Sequence, residues 1–317
     1  MRRRALFALS ALLGARPWAA GAQTATPGAL PAVASFTLLG DMLRQVAGDR
    51  AAARVIAGPD TDAHAFQPRP SDAEAIRGAA VLVRNGLGFD PWFDGLVRAS
   101  GHRAVLVTAT DGIEARSMEA HAHDHGGAER RRQHVVGPRR VPDPHAWQDL
   151  RLGQAYLRNI ERGLAAADPA GAAAYARNAE AYAGRLAALD ALVRQQVATV
   201  PPARRKVVTS HDAFGYFGAA YGIEFLAPQG VSTAAEPSAA EVARLIRQIR
   251  AEGITAVFVE TVTNPAALER LAQEAGVRVR GRLYADALSG PGGPAPTYEA
   301  MFRHNIGLMV PAMRGEA

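Results

Sequence analysis

Short apolar runs rich in β-branched residues alternate along this chain with longer stretches of helical periodicity. Runs of this length bounded by turn-forming residues predict buried strands. The predicted strands are Val33–Leu38, Ala53–Ala57, Ala80–Arg84 and Ala104–Thr108 in the first half, and Lys206–Ser210, Ile223–Ala227, Thr255–Glu260 and Val277–Gly281 in the second. Strands separated by helices form parallel sheets, so the alternation predicts an α/β fold. A chain of 317 residues is too long for one small core and suits two α/β lobes.

A long helical pattern separates the two halves. It begins at Asp168-Pro169, ends at Pro201-Pro202 and repeats apolar residues at helical spacing. At ~1.5 Å per residue, such a helix is about 45 Å long, which is enough to bridge two domains. Two shorter helices with a break near Gly184 are the alternative. The predicted organisation is an N-terminal lobe over 23–167, a bridging helix over 168–200 and a C-terminal lobe over 201–317.

Two predicted helices begin with capping-box sequences, in which a serine and a glutamate three positions later satisfy each other's backbone N–H groups. The boxes are Ser71 to Glu74 and Ser238 to Glu241. Each box predicts a helix whose start is capped by its serine.

Residues 1–22 have the features of a cleavable export signal. The arginines Arg2 to Arg4 precede the apolar run Ala5–Leu13, and Ala20-Gly21-Ala22 provides small residues for cleavage. The apolar run is too short to span a bilayer. Because the chain has no cysteine to carry a lipid, we expect a soluble protein of a Gram-negative periplasm, not a lipoprotein. The arginines leave the general and twin-arginine export routes open.

The charge balance argues against a nucleic-acid partner. The formal net charge is +6, but the export signal contributes four arginines and no acidic residue, so the mature chain is nearly neutral. The sequence also lacks a basic stripe interleaved with aromatic residues. We therefore expect no binding to nucleic acid.

Three histidines and one aspartate lie where an α/β protein binds ligands. His64, His211 and Asp286 each follow a predicted strand. They lie beyond the carboxyl ends of parallel strands, which is the edge where open α/β sheets bind ligands. His145 lies after Pro144, in a loop that proline stiffens and that a helical pattern follows. A lone histidine is most often structural, but this shared placement predicts one site.

Three imidazoles and one carboxylate form a four-coordinate site that suits Zn²⁺. Mn²⁺ is the alternative, although it prefers more oxygen donors and is lowest in the affinity order. Four protein ligands leave no open position for an activated water. Such a site therefore suits capture of an ion and not catalysis.

The most specific motif is Asp143-Pro144-His145-Ala146-Trp147. Other characteristic segments are Gly40-Asp41, Asp62-Ala63-His64 with Gln67-Pro68, Asn85 to Trp92, Ser210 to Phe217, Glu236-Pro237-Ser238, Tyr284 to Leu288, Tyr298 and His304-Asn305. Across roughly residues 33–313, these motifs resemble the zinc- and manganese-specific solute-binding proteins of ATP-binding-cassette (ABC) importers.

The resemblance implies two α/β lobes joined by one long helix, with the metal in the cleft between the lobes. It implies that His64, His145, His211 and Asp286 are the metal ligands. Manganese members of the family tend to have glutamate at the third ligand position, so His211 favours zinc. The implied function is to capture Zn²⁺ in the periplasm and deliver it to the permease of an ABC transporter with its ATPase. A periplasmic zinc metallochaperone is a candidate partner, and we expect a monomer that is not an enzyme.

Residues 119–135 form a low-complexity loop in which histidines alternate with other residues. The candidates for an auxiliary zinc site are His121, His123, His125 and His134. Many zinc members of the family have a longer histidine-rich loop between the first two ligands. A tolerated polar surface loop is the alternative explanation for this segment.

Residues beside the predicted ligands suggest supporting roles. Glu260 ends a predicted strand on the ligand side and is a candidate acceptor for an imidazole N–H group. Trp147 and Phe214 are neighbours of ligands in the sequence and are predicted to pack the wall of the site.

Three other functions stay open at this point. The first is manganese binding within the same family. The second is a zinc-dependent hydrolase, which needs an open coordination position and a general base. The chain contains no H-E-x-x-H motif, and Glu260 is the one candidate base. The third is an added role as an adhesin or in docking a chaperone on the same fold.

Overall fold

The computed structural model describes residues 28–101, 103–119, 140–230, 233 and 238–316. The predicted export signal, His102 and the four histidines of the low-complexity loop lie outside the described residues.

The first lobe is built on a four-stranded parallel sheet. Its strands run in the order β2-β1-β3-β4, and each predicted strand of this half is present within a few residues of its expected bounds. The elements are β1 (Leu30–Phe36), α1 (Thr37–Ala47), β2 (Ala51–Ala57), α2 (Pro70–Gly78), β3 (Val81–Arg84), α3 (Pro91–Ser100) and β4 (Val105–Thr108).

A short antiparallel ribbon follows, formed by β5 (Ser117–Glu119) and β6 (Arg140–Pro142). The chain then makes a 3-10 turn at Ala146–Gln148 and enters α4 (Leu150–Ala167). Asp149 caps α4, since its side chain accepts a hydrogen bond from the backbone N–H of Arg151.

The predicted bridging helix is α5 (Ala172–Ala198), which a 3-10 turn at Pro169–Gly171 precedes. It runs unbroken for 27 residues, or about 40 Å. Gly184 does not interrupt the helix, because this glycine lies on the exposed face. The opposite face packs into the core through a buried apolar stripe, which stabilises the helix. No helix in the described part of the chain combines the length and apolarity needed to cross a bilayer.

The second lobe repeats the parallel α/β architecture, with strand order β10-β9-β7-β8. This arrangement confirms the predicted fold of two parallel α/β lobes with one bridging helix. The residue boundaries given for the lobes stay predictions. The elements are β7 (Lys206–Val208), α6 (Gly215–Tyr221), β8 (Glu224–Leu226), α7 (Ala239–Glu252), β9 (Val257–Glu260), α8 (Pro265–Ala275), β10 (Val279–Leu283) and α9 (Tyr298–Arg314).

Only one of the two predicted capping boxes forms. Ser238 caps α7 and exchanges hydrogen bonds with Glu241 as expected. The expected start of α2 at Ser71 is wrong, since the helix begins at Pro70, and the Asp72 carboxylate accepts the N–H of Arg69 at 2.8 Å. Proline suits the first helical position because it has a preset φ and no N–H to satisfy.

One connected apolar core runs through both lobes. It joins residues from β1 and α1 with residues from α4, α5, α6 and α9. Two smaller clusters cover the outer faces of the two sheets. Because α5 packs into the shared core, the two lobes are braced against each other around the cleft.

Candidate metal centre

The four predicted ligands converge at the cleft between the lobes. His64 follows β2, His145 follows β6, His211 follows β7 and Asp286 follows β10. Each offers one ligand atom, and these four atoms all lie within 4.8 Å of one another. His64, His211 and Asp286 meet because they follow strands whose carboxyl ends lie at one edge of the two parallel sheets, and the β5–β6 ribbon brings His145 to the same point.

All three imidazoles direct their Nε2 atoms to this point. His64 Nε2 lies 3.2 Å from His145 Nε2 and 3.3 Å from Asp286 Oδ2. Asp286 Oδ2 also lies 3.0 Å from His211 Nε2. The side chains of His145, His211 and Asp286 are fully buried, whereas 6% of the His64 side chain is exposed.

The Asp286 carboxylate is buried without a conventional partner. Neither of its oxygens has a hydrogen bond of acceptable geometry among the described residues. Its nearest polar neighbours are the imidazole nitrogens. A buried carboxylate is costly unless positive charge faces it, and a cation held by these four side chains would supply that charge.

A carboxylate that the sequence reasoning missed orients His145. Asp143 Oδ1 accepts the backbone N–H of His145 at 3.0 Å and lies 2.8 Å from His145 Nδ1. This contact places the proton on Nδ1 and leaves the Nε2 lone pair free for a metal. The signal was present in the motif Asp143-Pro144-His145, where an aspartate two residues before a histidine can reach its backbone.

Glu260 holds His211 in the corresponding way. Its Oε2 atom lies 2.6 Å from His211 Nδ1, and both side chains are fully buried. Its Oε1 atom accepts the backbone N–H groups of Ser210 at 2.9 Å and His211 at 3.0 Å. Glu260 therefore fixes both the loop that carries the histidine and the orientation of the imidazole ring.

His64 is fixed through its backbone. Asp62 Oδ1 accepts the N–H of His64 at 2.8 Å, which makes a tight turn after β2. The other oxygen of Asp62 accepts the hydroxyl of Thr233, a residue of the second lobe, at 2.6 Å. The turn that presents His64 is thus tied to the opposite lobe.

Aromatic rings form part of the wall of the site. Phe89 packs edge-on against His64 with ring centroids 4.5 Å apart, and Trp147 packs against His145 at 5.2 Å. The Trp147 indole also donates to the carbonyl of Ala285, beside Asp286, at 2.9 Å. The prediction for Trp147 is confirmed, but Phe214 stacks on Phe225 instead, with centroids 5.0 Å apart.

Burial and the neighbouring charges shift the pKa values of the site. Burial lowers the pKa of His64. Burial also acts to lower the pKa of His211, but the charges of Glu260 and Asp286 outweigh it and raise that pKa well above its usual value. Burial opposes the charged form of Asp286, yet His211 and His145 hold its pKa well below the usual range. Asp286 is therefore a carboxylate at neutral pH.

An apolar depression of about 390 Å³ opens beside His64. It is lined by His64, Leu87, Gly88, Phe89, Pro91, Val141, Pro142 and Pro144. Leu87 has a φ of +54°, an unusual conformation for a residue with a branched side chain. Because His64 is the one partly exposed member of the four, this depression is the side from which solvent approaches the site.

Comparison with known proteins shows the family to which the chain belongs. Residues 32–312 match the ZnuA family, described as the periplasmic component A of the zinc-uptake complex. The chain belongs to this family. It is therefore a metal-binding solute-binding protein that works outside the cytoplasm with an ABC transporter.

The relatives of this chain are named for different metals. The manganese-binding lipoprotein MntA of Halalkalibacterium halodurans is 32% identical over 89% of this chain and 87% of its own length. The iron-binding protein YfeA of Yersinia pestis is 29% identical over 96% of this chain and 94% of its own. The structure of the periplasmic zinc-binding protein TroA of Treponema pallidum superposes with a TM-score of 0.79 and 27% identity, over 90% of this chain and 99% of that protein.

MntA is a lipoprotein by name. This differs from the expectation that the present chain carries no lipid, which rested on the absence of cysteine. The relatives therefore lend no support to that expectation, and it stays a prediction.

Proposed function

We propose that this protein captures Zn²⁺ with His64, His145, His211 and Asp286 and delivers it to the permease of an ABC transporter. The observation that carries the proposal is the convergence of these four buried ligand atoms within 4.8 Å of one another. The ion is cargo, which the protein binds and releases without changing it chemically.

The spacing of the ligand atoms supports a small four-coordinate ion. A tetrahedral Zn²⁺ with ligands at about 2.0–2.1 Å places those ligand atoms roughly 3.3–3.4 Å apart. Three of the distances in the site are 3.2, 3.3 and 3.0 Å. These three pairs are thus spaced close to what a tetrahedral ion requires, and the remaining pairs lie within 4.8 Å.

The donor set supports zinc over manganese. Three imidazole nitrogens and one carboxylate suit Zn²⁺, whereas Mn²⁺ prefers more oxygen donors. Manganese or iron is the second candidate, because MntA and YfeA are named for these metals. The second oxygen of Asp286 would be available to either ion as a fifth ligand.

The proposed contributions of Asp143 and Glu260 complete the site. Asp143 accepts the Nδ1 proton of His145, and the Glu260 carboxylate lies 2.6 Å from His211 Nδ1, so each carboxylate favours a proton on Nδ1 and leaves Nε2 free as a metal ligand. For a zinc hydrolase, the site would need an open coordination position. Four protein ligands in a buried cleft favour capture instead.

Metal analysis of protein isolated from the periplasm tests the proposal. We expect one zinc per chain, retained in competition with excess Mn²⁺ and Fe²⁺. Bound manganese or iron under these conditions would refute the zinc assignment, and a chain that binds none of the three would refute the metal site. Mass analysis of the same material would check the predicted cleavage after residue 22 and the absence of a lipid.

The auxiliary role of His121, His123, His125 and His134 also stays a proposal. The flanking residues Glu119 and Arg140 pair across the β5–β6 ribbon, and Val141 and Pro142 line the depression beside His64. Both ends of the segment thus lie near the open side of the site. Deletion of residues 120–134 should slow transfer of zinc from a donor chelator. An unchanged transfer rate and stoichiometry would eliminate the auxiliary role.

A further inference from the structure

A buried tyrosine of the second lobe contacts the segment of the first lobe that carries His145. Tyr216 lies at the start of α6, shortly after His211, and is 3% exposed. Its hydroxyl accepts the backbone N–H of Arg116 at 2.9 Å and donates to the backbone carbonyl of Asp143 at 3.2 Å. One hydroxyl group therefore joins the two lobes beside the metal centre.

The two residues whose backbones meet this hydroxyl are also bonded to each other, through their other backbone groups. The N–H of Asp143 donates to the carbonyl of Arg116 at 2.8 Å, next to the end of the β5–β6 ribbon. The Arg116 guanidinium lies 5.8 Å above the Tyr216 ring. Tyr216 is thus inserted between chain segments that form a small hydrogen-bonded unit.

Gly215, the residue before Tyr216, lies against the side chain of the same aspartate. A Cβ atom at Gly215 would lie 2.8 Å from Asp143 Oδ2, which is too close for a carbon atom. Glycine at this position therefore lets α6 pack directly against the carboxylate. Asp143 is held by Tyr216 through its backbone while Gly215 leaves room for its side chain.

We propose that Tyr216 is a positioning residue that couples the ligands of the two lobes. The α6 helix follows His211 in the chain, and the Asp143 carboxylate orients His145. A movement of one lobe relative to the other therefore acts on both histidines at once. The inference rests on the proposed zinc site, since it assigns Tyr216 a role in how firmly that site holds its ion.

The test is the rate of zinc release from Tyr216→Phe, measured by transfer to a fluorescent chelator. Loss of the two hydrogen bonds of this buried hydroxyl should speed release by at least about 2- to 10-fold. The matched control is Tyr221→Phe on the same helix. In the wild type, the Tyr221 hydroxyl donates a hydrogen bond of 2.9 Å to Asp190 Oδ1, and this bond lies outside the metal centre. We expect release from this control to match the wild type.

A double-mutant cycle separates positioning from a general loss of stability. If Tyr216 acts through Asp143, then Tyr216→Phe should change release by less than about twofold in an Asp143→Asn background. Additive effects of the two substitutions, or equal effects of Tyr216→Phe and Tyr221→Phe, would overturn the proposal. Should Tyr216→Phe fail to fold, Gly215→Ala serves as the second variant and should also speed release.

The wild-type protein separates this inference from the proposed function. Zinc binding that is lost in His145→Ala supports the site whatever Tyr216 does. If the wild type binds zinc and Tyr216→Phe releases it at the wild-type rate, then only the coupling role is refuted.

Discussion

Replacing Glu260 by glutamine should weaken zinc binding strongly while leaving the fold intact. In the native protein, Oε1 accepts two backbone N–H groups, and Oε2 faces His211 Nδ1 at 2.6 Å. Both positions require an acceptor, but a glutamine amide has only one oxygen. If its NH₂ group faces Nδ1, the imidazole must carry its proton on Nε2, where the metal binds. If the amide is reversed, its NH₂ group faces the two backbone donors.

Either orientation removes a contact on which the zinc-binding form of His211 depends. Loss of such a supporting contact typically reduces metal affinity about 10- to 100-fold, or roughly 1.4–2.7 kcal/mol. Competition with a chromophoric zinc chelator would measure the affinity, and circular dichroism would check the fold. Glu252→Gln is the control, because Glu252 pairs with Lys206 at the surface. An affinity of Glu260→Gln within about twofold of the wild type would refute the reasoning.

Three other outcomes are expected. His145→Ala should weaken zinc binding by more than about 100-fold, whereas His304→Ala should not change it; equal effects in chelator competition would mean that the ligand set is wrong. Zinc affinity should fall as the pH drops, because protons compete with the metal for the imidazoles. The raised pKa of His211 means that this loss should begin above the ordinary histidine pKa of about 6.5. A constant affinity from about pH 8 to 5 in titration calorimetry would contradict this prediction. Gly163→Ala should destabilise the fold by about 1–3 kcal/mol, because the added methyl group would overlap a β4 side chain. Gly184→Ala should instead stabilise α5 by up to about 1 kcal/mol. Urea unfolding of both variants would measure the two changes in the free energy of unfolding.

The strands and the placement of the ligand residues could be predicted because they depend on local patterns. Apolar runs fixed the eight strands of the two parallel sheets to within a few residues. His64, His211 and Asp286 could be assigned to one edge because parallel strands end on the same side of a sheet. For His145, which follows no strand of these sheets, the family motif supplied the information.

The supporting contacts were harder to predict because they depend on how the lobes pack. Phe214 and Trp147 both neighbour ligands in the sequence, but only Trp147 faces the site, since α6 turns Phe214 toward Phe225. Phe89 comes from a separate loop and could not be assigned to His64 without the fold. The contact of Tyr216 with Asp143 also requires the two lobes to be in place.

The start of α2 shows how two local signals compete. Ser71 to Glu74 has the capping sequence, but Pro70 occupies the first helical position and moves the start upstream. The carboxylate that satisfies the helix start is then Asp72 and not Glu74. A prediction based on the capping sequence alone therefore places the start of α2 at the wrong residue.

The convergence of four distant chain segments on one point has a consequence for survival of the protein outside the cytoplasm. With no cysteine in the chain, no disulfide can fasten these segments together, and a bound cation would add a strong cross-link between them. A ligand present at about 100 times its Kd adds about 2.7 kcal/mol to the free energy of unfolding. Empty molecules should therefore be digested by proteases sooner than filled ones, so that metal starvation would also shorten the lifetime of the carrier.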